Sequence, residues 1–271
     1  MDVDPKKPSF QMQTCKIARI TDENYRIKTF ELSASIKAKP GQFIMIWIPG
    51  IGERPMSLGN AAPVKVTIAN IGKFSGAMHA LKQGDLISFR GPLGKPFNLP
   101  KTITQKSKIL LVGGGYGVVP LAYLAREAKK RGIESIEIIG ARKKEDVVHI
   151  NKAEGTKVII TTDDGSEGVH GNAIDAVNAL FTEGKQFDAV YSCGPEKMMR
   201  RLAEICIQKG IYCELSIERY MKCGINICGA CAIDGKICCR DGPIFTVKEA
   251  LRFDEFGKGW RDASGKKCDL H

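Results

Sequence analysis

The sequence has few aromatic residues and no long apolar run, and these two absences exclude several classes of protein. Aromatic residues make up only 7% of the 271 residues, and two of them are tryptophans. A nucleic-acid-binding surface combines a basic stripe with interleaved aromatic side chains, and no such stripe is present. The longest apolar runs, such as Phe43–Ile48, have the length of a strand, whereas a membrane helix needs about 20 apolar residues. The sequence therefore predicts neither a nucleic-acid-binding protein nor a membrane-spanning one.

The first residues, MDVDPKKPSF, lack the apolar segment of a secretory signal, so we expect a cytoplasmic protein. The length predicts about two domains. Apolar residues (43%) and charged residues (26%) are present in ordinary proportions for a globular chain. The formal charge of +11 is spread in short basic runs. We interpret these runs as solvated surface, with an acidic partner or nucleotide phosphates as the alternative.

Residues 1–103 differ from the rest of the chain in the pattern of their apolar segments and turns. In the first region, short apolar segments at 15–20, 26–32, 42–48, 64–69 and 85–89 are separated by turns rich in glycine and proline. This pattern predicts an all-β barrel or sandwich.

The region 104–215 alternates strands with helices. Strands are predicted at 108–112, 135–141, 157–161, 188–192 and 212–216, and helices at 119–131, 171–181 and 196–209. Such alternation predicts a Rossmann-like α/β domain with a parallel sheet. The remaining residues, 216–271, are rich in cysteine and glycine, and we expect them to be held together by whatever the cysteines bind.

Seven of the ten cysteines fall between Cys206 and Cys239. A reducing cytosol disfavours disulfides, so a dense cluster of this kind indicates a metal site. The spacing C-x4-C-x2-C-x7-C, from Cys223 through Cys228 and Cys231 to Cys239, is typical of a plant-type [2Fe–2S] cluster. Zinc is the alternative, although structural zinc sites more often use two C-x2-C pairs. Either Cys238 or Cys239 could be the fourth ligand. Neighbouring residues in a short strand point to opposite faces, so only one of the two can face the cluster.

A glycine-rich turn lies between the first predicted strand of the α/β region and the helix that follows it. The turn presents backbone N–H groups and a helix N-terminus, which bind the phosphates of a dinucleotide. A second loop leaves a later strand at the same edge. The candidate nucleotide-binding residues are Gly113, Gly114, Gly115, Tyr116 and Gly117 in the turn and Cys193, Gly194 and Pro195 in the second loop.

Asp163 and Asp164 follow another predicted strand. A carboxylate there accepts hydrogen bonds from a ribose hydroxyl and repels a 2′-phosphate, which favours NAD(H) over NADP(H). We take Asp163 as the candidate, with a turn-capping role for either residue as the alternative.

The segment Arg54-Pro55-Met56-Ser57 resembles the R-P-x-S flavin-binding signature of the ferredoxin–NADP reductase superfamily. It is followed in order by Gly-Pro-Leu-Gly at 91–94, the glycine-rich turn, Cys-Gly-Pro at 193–195 and the cysteine motif. This succession resembles the iron–sulfur electron-transfer subunits of NAD-dependent (type B) dihydroorotate dehydrogenase over essentially the whole chain. The most particular stretches of the resemblance are 218–224 and 239–245.

The resemblance implies three bound groups. FAD would lie in the N-terminal barrel, NAD in the middle domain and a [2Fe–2S] cluster in the C-terminal module, with Cys239 rather than Cys238 as the last ligand. Phe74 and Ser75 replace the glycine and threonine of the family's G-x-G-T flavin segment. The flavin-binding residues implied are Arg54, Pro55, Met56, Ser57, Ile68, Gly72, Phe74 and Ser75.

The resemblance also implies an oxidoreductase subunit of pyrimidine (UMP) biosynthesis. Electrons would pass from the FMN of a dihydroorotate-oxidising catalytic subunit through the cluster and FAD to NAD+, in a heterotetramer with two copies of each subunit. The chain alone would oxidise NADH with artificial acceptors. Cys193 would position the nicotinamide and not act as a nucleophile, and no residue is expected to be catalytic.

An alternative reading is the NAD(P)H-binding flavin and iron–sulfur subunit of a sulfide dehydrogenase or a ferredoxin–NAD(P) oxidoreductase. That group is similar over the whole chain, but it tends to lack the serine of R-P-x-S and to carry an acidic residue in place of Cys223. Ser57 and Cys223 therefore favour the dihydroorotate-linked family.

Overall fold

The N-terminal part of the chain forms a closed six-stranded barrel. The structure is a computed structural model that describes residues 10–100, 102–149 and 156–269. The barrel strands are β1 (Gln13–Asn24), β2 (Ile27–Leu32), β3 (Phe43–Ile48), β4 (Gly52–Ala61), β5 (Val64–Ala69) and β6 (Leu86–Leu93), and helix α1 (Lys73–Ala80) lies between β5 and β6. Their order around the barrel is β1-β2-β5-β4-β3-β6, with antiparallel pairing. Of the two predicted β architectures, the barrel is confirmed.

Strand β3 has a continuous apolar run because both of its faces are covered from Phe43 to Ile46, whereas Trp47 is 40% exposed. Ile44 and Ile46 point into the barrel and are fully buried there. Phe43 and Met45 point outward and are buried against the C-terminal part of the chain. A strand buried on both faces has a continuous apolar run instead of an alternating pattern.

Strand β4, which carries the Arg-Pro-Met-Ser segment, was not predicted from the sequence. Pro55 lies within β4 opposite Met45 of β3. β4 pairs with β5 only from Leu58 to Ala61, so at Pro55 the strand has a neighbour on one side only. Proline is tolerated at such an edge position because no ladder hydrogen bond requires its missing N–H.

The second sheet has seven strands in the order β10-β9-β8-β7-β11-β12-β15, and β15 covers Ile244–Thr246. All neighbouring pairs are parallel except β12 and β15. The predicted helix at 196–209 is confirmed to the residue. The elements are β7 (Lys108–Gly114), α2 (Val118–Lys130), β8 (Glu134–Ala141), β9 (Lys157–Thr162), β10 (Val169–His170), α3 (Ala173–Thr182), β11 (Ala189–Cys193), α4 (Glu196–Lys209) and β12 (Tyr212–Ser216).

Helices cover both faces of this sheet. On β7, Ile109 and Leu111 pack in one cluster with residues of α2, whereas Leu110 and Val112 pack in another with residues of α3 and α4. The predicted parallel α/β architecture is therefore confirmed. No helix in the described part of the chain is both long and apolar enough to span a lipid bilayer.

The last strand of the sheet comes from the cysteine-rich part of the chain, so the sheet draws on residues on both sides of position 215. This part contains β13 (Ala232–Ile233), β14 (Lys236–Ile237), α5 (Cys238–Asp241), β15 (Ile244–Thr246), α6 (Val247–Ala250), β16 (Gly259–Arg261) and β17 (Lys267–Asp269). β15 is antiparallel to β12, with Leu215 opposite Phe245. The cysteine-rich segment is thereby fixed to the α/β domain.

Helix α2 also connects the sheet to the barrel. The Tyr123 hydroxyl donates a hydrogen bond to the Ala38 carbonyl at 2.9 Å, and the Arg126 guanidinium donates to the Gly59 carbonyl. Burial raises the pKa of Tyr123 to about 12, so this hydroxyl keeps its proton at neutral pH. These bonds hold the two units in one orientation and place the ends of β7 and β11 against the barrel.

Two strand ends meet so closely that three of their positions require glycine. A Cβ added at Gly114 would lie 2.5 Å from the Pro195 ring, and one added at Gly194 would lie 2.8 Å from the Gly114 nitrogen. A Cβ at Gly117 would press on the carbonyl group of Cys193. The glycines of these two loops thus allow β7 and β11 to end side by side.

We expect Gly117→Ala to destabilise the protein by about 1–3 kcal/mol, because the new methyl group meets backbone atoms that cannot rotate away. The matched control is Gly76→Ala in α1, where a Cβ would meet only the Asn70 side chain at 3.6 Å. The control is expected to be neutral or slightly stabilising. Thermal unfolding measures both, and equal melting temperatures for the two variants would contradict the close approach.

Candidate functional site

A cavity of about 460 Å³ lies where the barrel, the α/β domain and the cysteine-rich segment meet. Its size falls within the usual range of small-molecule pockets. All the sequence-predicted flavin residues line it, as do three of the predicted nucleotide residues. These lining residues are Arg54, Pro55, Met56, Ser57, Ile68, Gly72, Phe74, Ser75, Tyr116, Gly117 and Cys193.

Arg54 is held in place at the wall of the cavity. Its Nη1 donates a hydrogen bond to the Glu53 carbonyl at 2.8 Å, and its guanidinium lies over the Tyr220 ring, 5.5 Å from the ring centre. A guanidinium has five N–H donors in a planar fork, so further donors are available for a pyrophosphate. Arg54 therefore suits the flavin-binding role that the resemblance implies for it.

The first turn of α1 also borders the cavity, but the Ser75 hydroxyl is engaged within the turn. It accepts hydrogen bonds from the backbone N–H groups of Ile71 and Gly72 at 2.9 Å and donates one to the Gly72 carbonyl at 3.0 Å. Phe74 is buried with the barrel core. These two residues shape the wall, and Lys73, which the sequence analysis did not single out, adds a positive charge to it.

The largest omission of the sequence analysis is the segment 216–221, all of which lines the cavity. The register places Gly113, Cys193 and Ser216 side by side at the carboxyl ends of β7, β11 and β12. Ligands of open α/β sheets bind at this edge. The position of the segment directly after a predicted strand was the available signal.

Glu218 stands at the centre of the polar groups in the cavity. Protein atoms surround its carboxyl group, but its surface remains accessible from the cavity. Burial raises the pKa of Glu218, and the negative charge of Glu196 adds to the effect. The negative charge of Glu218 raises the pKa of the neighbouring Tyr116 hydroxyl, with burial as a further cause. Tyr116 and Glu218 thus place a proton donor and a polar acceptor at the same wall of the cavity.

Cys193 is buried beside this pair. Burial raises the pKa of its thiol to about 12, with a further contribution from the charge of Glu218, so the thiol stays protonated at neutral pH. A protonated thiol is a poor nucleophile. The geometry thus suits a residue that positions a ligand.

Gly113, Gly114, Gly194 and Pro195 lie behind the cavity wall, where they allow the two loops to approach each other. Gly115 differs from them, because its φ is +55° and a Cβ there would meet nothing within 4 Å. Its left-handed backbone leaves open space before the N-terminus of α2, which is 13 residues long. The turn can therefore receive a phosphate.

Asp163 and Asp164 differ in what their carboxylates contact. Asp164 accepts hydrogen bonds from the Ser166 nitrogen at 3.0 Å and the Ser166 hydroxyl at 2.6 Å, which lower the pKa of its carboxyl group. Asp163 is exposed, and within the described ranges no side chain or backbone group bonds to its carboxylate. It follows β9, which lies two strands from β7, roughly 10 Å along the sheet edge. Asp163 is free to accept a ribose hydroxyl, whereas Asp164 stabilises its own turn.

The four cysteines of the C-x4-C-x2-C-x7-C motif form two neighbouring pairs. The thiols of Cys223 and Cys228 interact electrostatically, as do those of Cys231 and Cys239. The Cys223 sulfur accepts backbone N–H groups of Ile227 and Cys228 at 3.4 Å. The Cys239 sulfur accepts a hydrogen bond from the backbone N–H of Asn226 at 3.3 Å. The Cys231 sulfur accepts one from the backbone N–H of Cys239 at 3.4 Å. N–H groups directed at sulfur stabilise the thiolate form of cysteine over the thiol.

The pKa values follow from these contacts. Burial alone would raise the pKa of Cys223, but N–H groups of Ile225, Cys228 and Ile227 lower it to about 7. The neighbouring Cys239 thiol lowers the pKa of Cys231 to about 6, and Cys231 in turn raises the pKa of Cys239. Thiolates are the metal-binding form of cysteine, so the lowered pKa values of Cys223 and Cys231 favour a soft metal centre.

The donor set fits a two-iron cluster. The two cysteine pairs provide the four thiolates of a [2Fe–2S] cluster.

Cys238 is turned away from the other cysteines. Its thiol is buried and donates a hydrogen bond to the Ile217 carbonyl at 3.3 Å, and burial raises its pKa. The expectation of a short strand at this point was wrong, because residues 238–241 form helix α5. A helix turns successive side chains by about 100° and so still separates Cys238 from Cys239.

Comparison with known proteins supports the same assignment. Residues 218–250 match the family model described as the iron–sulfur cluster binding domain of dihydroorotate dehydrogenase B. A probable electron transfer subunit of dihydroorotate dehydrogenase B (NAD(+)) from Methanocaldococcus jannaschii is 41% identical, over 93% of this chain and 96% of the relative. The Pyrococcus furiosus protein of the same description is 40% identical, over 89% of this chain and 92% of the relative.

Solved structures agree in fold. A structure described as an NADH-dependent reduced ferredoxin–NADP oxidoreductase, studied for flavin-based electron bifurcation, has a TM-score of 0.78 and 29% identity, and 89% of each chain is covered. The ferredoxin–NADP+ reductase of Plasmodium falciparum has a TM-score of 0.61 at 17% identity, with 74% of this chain and 92% of that chain covered. The chain belongs to the family of electron transfer subunits of NAD(+)-dependent dihydroorotate dehydrogenase B.

Proposed function

We propose that the chain carries electrons between an FMN-containing subunit that oxidises dihydroorotate and NAD+, using FAD and a [2Fe–2S] cluster. The observation that carries the proposal is the juxtaposition of the two sites. One residue, Lys222, separates Cys223 of the thiolate quartet from the segment 216–221, which lines the cavity of the flavin signature. Membership in the family supports the same activity.

The bound groups supply the electron chemistry, since nicotinamide transfers hydride, flavin handles one or two electrons, and iron–sulfur clusters transfer single electrons. The chain's own residues bind and orient them. Arg54 provides guanidinium donors for a pyrophosphate, and Ser57 lies on the same wall. Tyr116 and Cys193 border the cavity beside the strand ends where a nicotinamide would enter. The protonated Cys193 thiol holds a position without reacting.

The proposal assigns three functional regions. Residues 1–103 would hold FAD, residues 104–215 NAD and residues 216–271 the cluster, on the four cysteines 223, 228, 231 and 239. The partner would be the FMN-containing catalytic subunit, in a complex with two copies of each. A cytoplasmic location is part of the proposal, and the ten free thiols support it because a reducing compartment keeps cysteines unpaired.

A second candidate is a ferredoxin–NAD(P) oxidoreductase subunit. It is favoured by the likeness to the NADH-dependent ferredoxin–NADP oxidoreductase structure, at a TM-score of 0.78. Against it stand Ser57 and Cys223, where that group tends to lack the serine and to have an acidic residue. The partner protein that completes the activity distinguishes the two functions.

The test is anaerobic co-purification of the chain with a dihydroorotate dehydrogenase catalytic subunit, followed by assay of dihydroorotate-dependent NADH formation. We expect the complex to form NADH and the chain alone to form none. The isolated chain should show flavin and iron–sulfur absorption that NADH bleaches. Ferredoxin-dependent reduction of NAD(P)+ without any response to dihydroorotate would favour the second candidate, and a colourless protein with bound zinc would contradict both.

Exchange of Cys239 and of Cys238 for serine should have opposite outcomes. Cys239→Ser removes a sulfur that faces the other three cysteines, so we expect loss of the iron–sulfur absorption and of the EPR signal of the reduced protein. Cys238→Ser changes a thiol directed at the Ile217 carbonyl and should keep the cluster. Iron content and EPR of both variants measure this, and loss of the cluster in Cys238→Ser alone would reverse the assignment.

Asp163→Asn should shift the preference from NADH towards NADPH, because a charged acceptor for the ribose hydroxyls is lost and the 2′-phosphate is no longer repelled. The loss of one charge-assisted hydrogen bond corresponds to roughly a tenfold decrease in kcat/KM for NADH. Asp164→Asn is the control, since its carboxylate bonds to Ser166. Kinetics with an artificial acceptor give the ratio for both nucleotides, and an unchanged ratio in Asp163→Asn would refute its role.

A further inference from the structure

We propose that Arg90 is a positioning residue that fixes the cysteine-bearing loop beside the flavin cavity and so sets the rate of electron transfer between the two sites. The loop of residues 223–231 is called the cluster loop below. The inference rests on the proposed function and deepens it, because it concerns the separation of the two groups that the chain would bind.

Arg90 lies on β6 and bonds three acceptors at once. Its Nε and Nη2 donate to the two carboxylate oxygens of Glu53, each at 2.7 Å. Its Nη2 also donates to the Cys223 carbonyl at 2.7 Å. The side chain is only 11% exposed, so water screens these contacts weakly. Only the planar fork of arginine serves all three acceptors in this geometry.

The bridge crosses the outer face of β3. Arg90 is paired with Met45 of β3, and Glu53 with Trp47 on the other side of the same strand. Gly224 of the cluster loop packs on the Met45 side chain, since a Cβ there would lie 2.9 Å from Met45 Cγ. The cluster loop is thus pressed onto β3 and tied there by a buried guanidinium.

The same face of β3 borders the flavin cavity. Phe43 lines the cavity, and Met45 is the next residue on that face, about 7 Å further along the strand. Glu53 immediately precedes Arg54 and accepts its hydrogen bond through the backbone carbonyl. Arg90 therefore connects the backbone of a cluster cysteine to the strand that carries the flavin signature.

A contribution to stability alone would not require this placement. A salt bridge between partly buried side chains affects the free energy of unfolding wherever it lies. A contact that sets the separation of two redox groups also affects the transfer rate in molecules that are fully folded and fully loaded. These two roles give different results in the same experiment.

The experiment compares wild-type protein with Arg90→Met, using the full chain with equal FAD and iron contents. NADH is mixed anaerobically in a stopped-flow instrument, and flavin and cluster absorption are followed separately. We expect the flavin phase to be unchanged and the cluster phase to slow severalfold, because the rate of electron transfer falls steeply with the distance between the two groups. Amide hydrogen exchange in the cluster loop should be faster in the variant.

Arg240→Met is the matched control. Arg240 adjoins Cys239, and its side chain is 53% exposed and pairs with Asp241. The control removes the same charge next to a cluster cysteine, and the ion pair that it breaks is with Asp241 and not with the barrel. We expect its cluster phase and loop exchange to match the wild type. Arg90→Lys keeps the charge and one bond, so it should lie between wild type and Arg90→Met and serves if Arg90→Met folds poorly.

Equal cluster phases in Arg90→Met, Arg90→Lys and wild type would overturn the inference, as would equal slowing in Arg240→Met, which would point to charge instead of position. Loss of stability in Arg90→Met with an unchanged transfer rate would also overturn it. The proposed function is tested by the wild type alone. A wild-type protein without flavin or cluster absorption contradicts that function, whereas failure of the Arg90 comparison in a bleachable wild type contradicts only the role of Arg90.

Discussion

The arrangement of the molecule depends on covering the apolar outer face of strand β3. Phe43 and Met45 are too apolar to face water and are buried against the C-terminal part of the chain. Burial of side chains of this size stabilises a fold by roughly 1.5–3 kcal/mol each. Because the covering segment carries the cysteines, the same burial that stabilises the barrel brings the cluster loop to the edge of the cavity.

The α/β domain completes this arrangement by turning three strand ends towards the barrel. Gly113, Cys193 and Ser216 lie side by side where β7, β11 and β12 end. Their loops contribute to one wall of the cavity, opposite the flavin signature on β4. A nucleotide bound at the sheet edge would therefore face a flavin bound on the barrel, and the cysteine quartet would lie beyond it.

Two buried arginine side chains near the cavity are each paired with a carboxylate. The Arg219 side chain, 1% exposed, pairs with Glu196, and Arg90 pairs with Glu53. Unpaired buried charges are strongly unfavourable, so each guanidinium needs its carboxylate. The accessible Glu218, with its raised pKa, is in contrast available to the cavity. The charges of Arg219 and Arg90 therefore stabilise the structure, whereas Glu218 can contact a ligand.

The sequence by itself determined the cysteine spacing, the alternation of strands and helices and the glycine-rich turn, because these depend on local geometry and on chemistry within a few residues. It did not reveal β4, whose Arg-Pro-Met-Ser segment has no strand pattern and pairs only because β3 lies beside it. The lining role of residues 216–221, the antiparallel strand β15 and the bridge from Arg90 to Cys223 were decided only by tertiary structure. Each of these contacts joins residues distant in the chain, and such pairing depends on burial and register that no local pattern encodes.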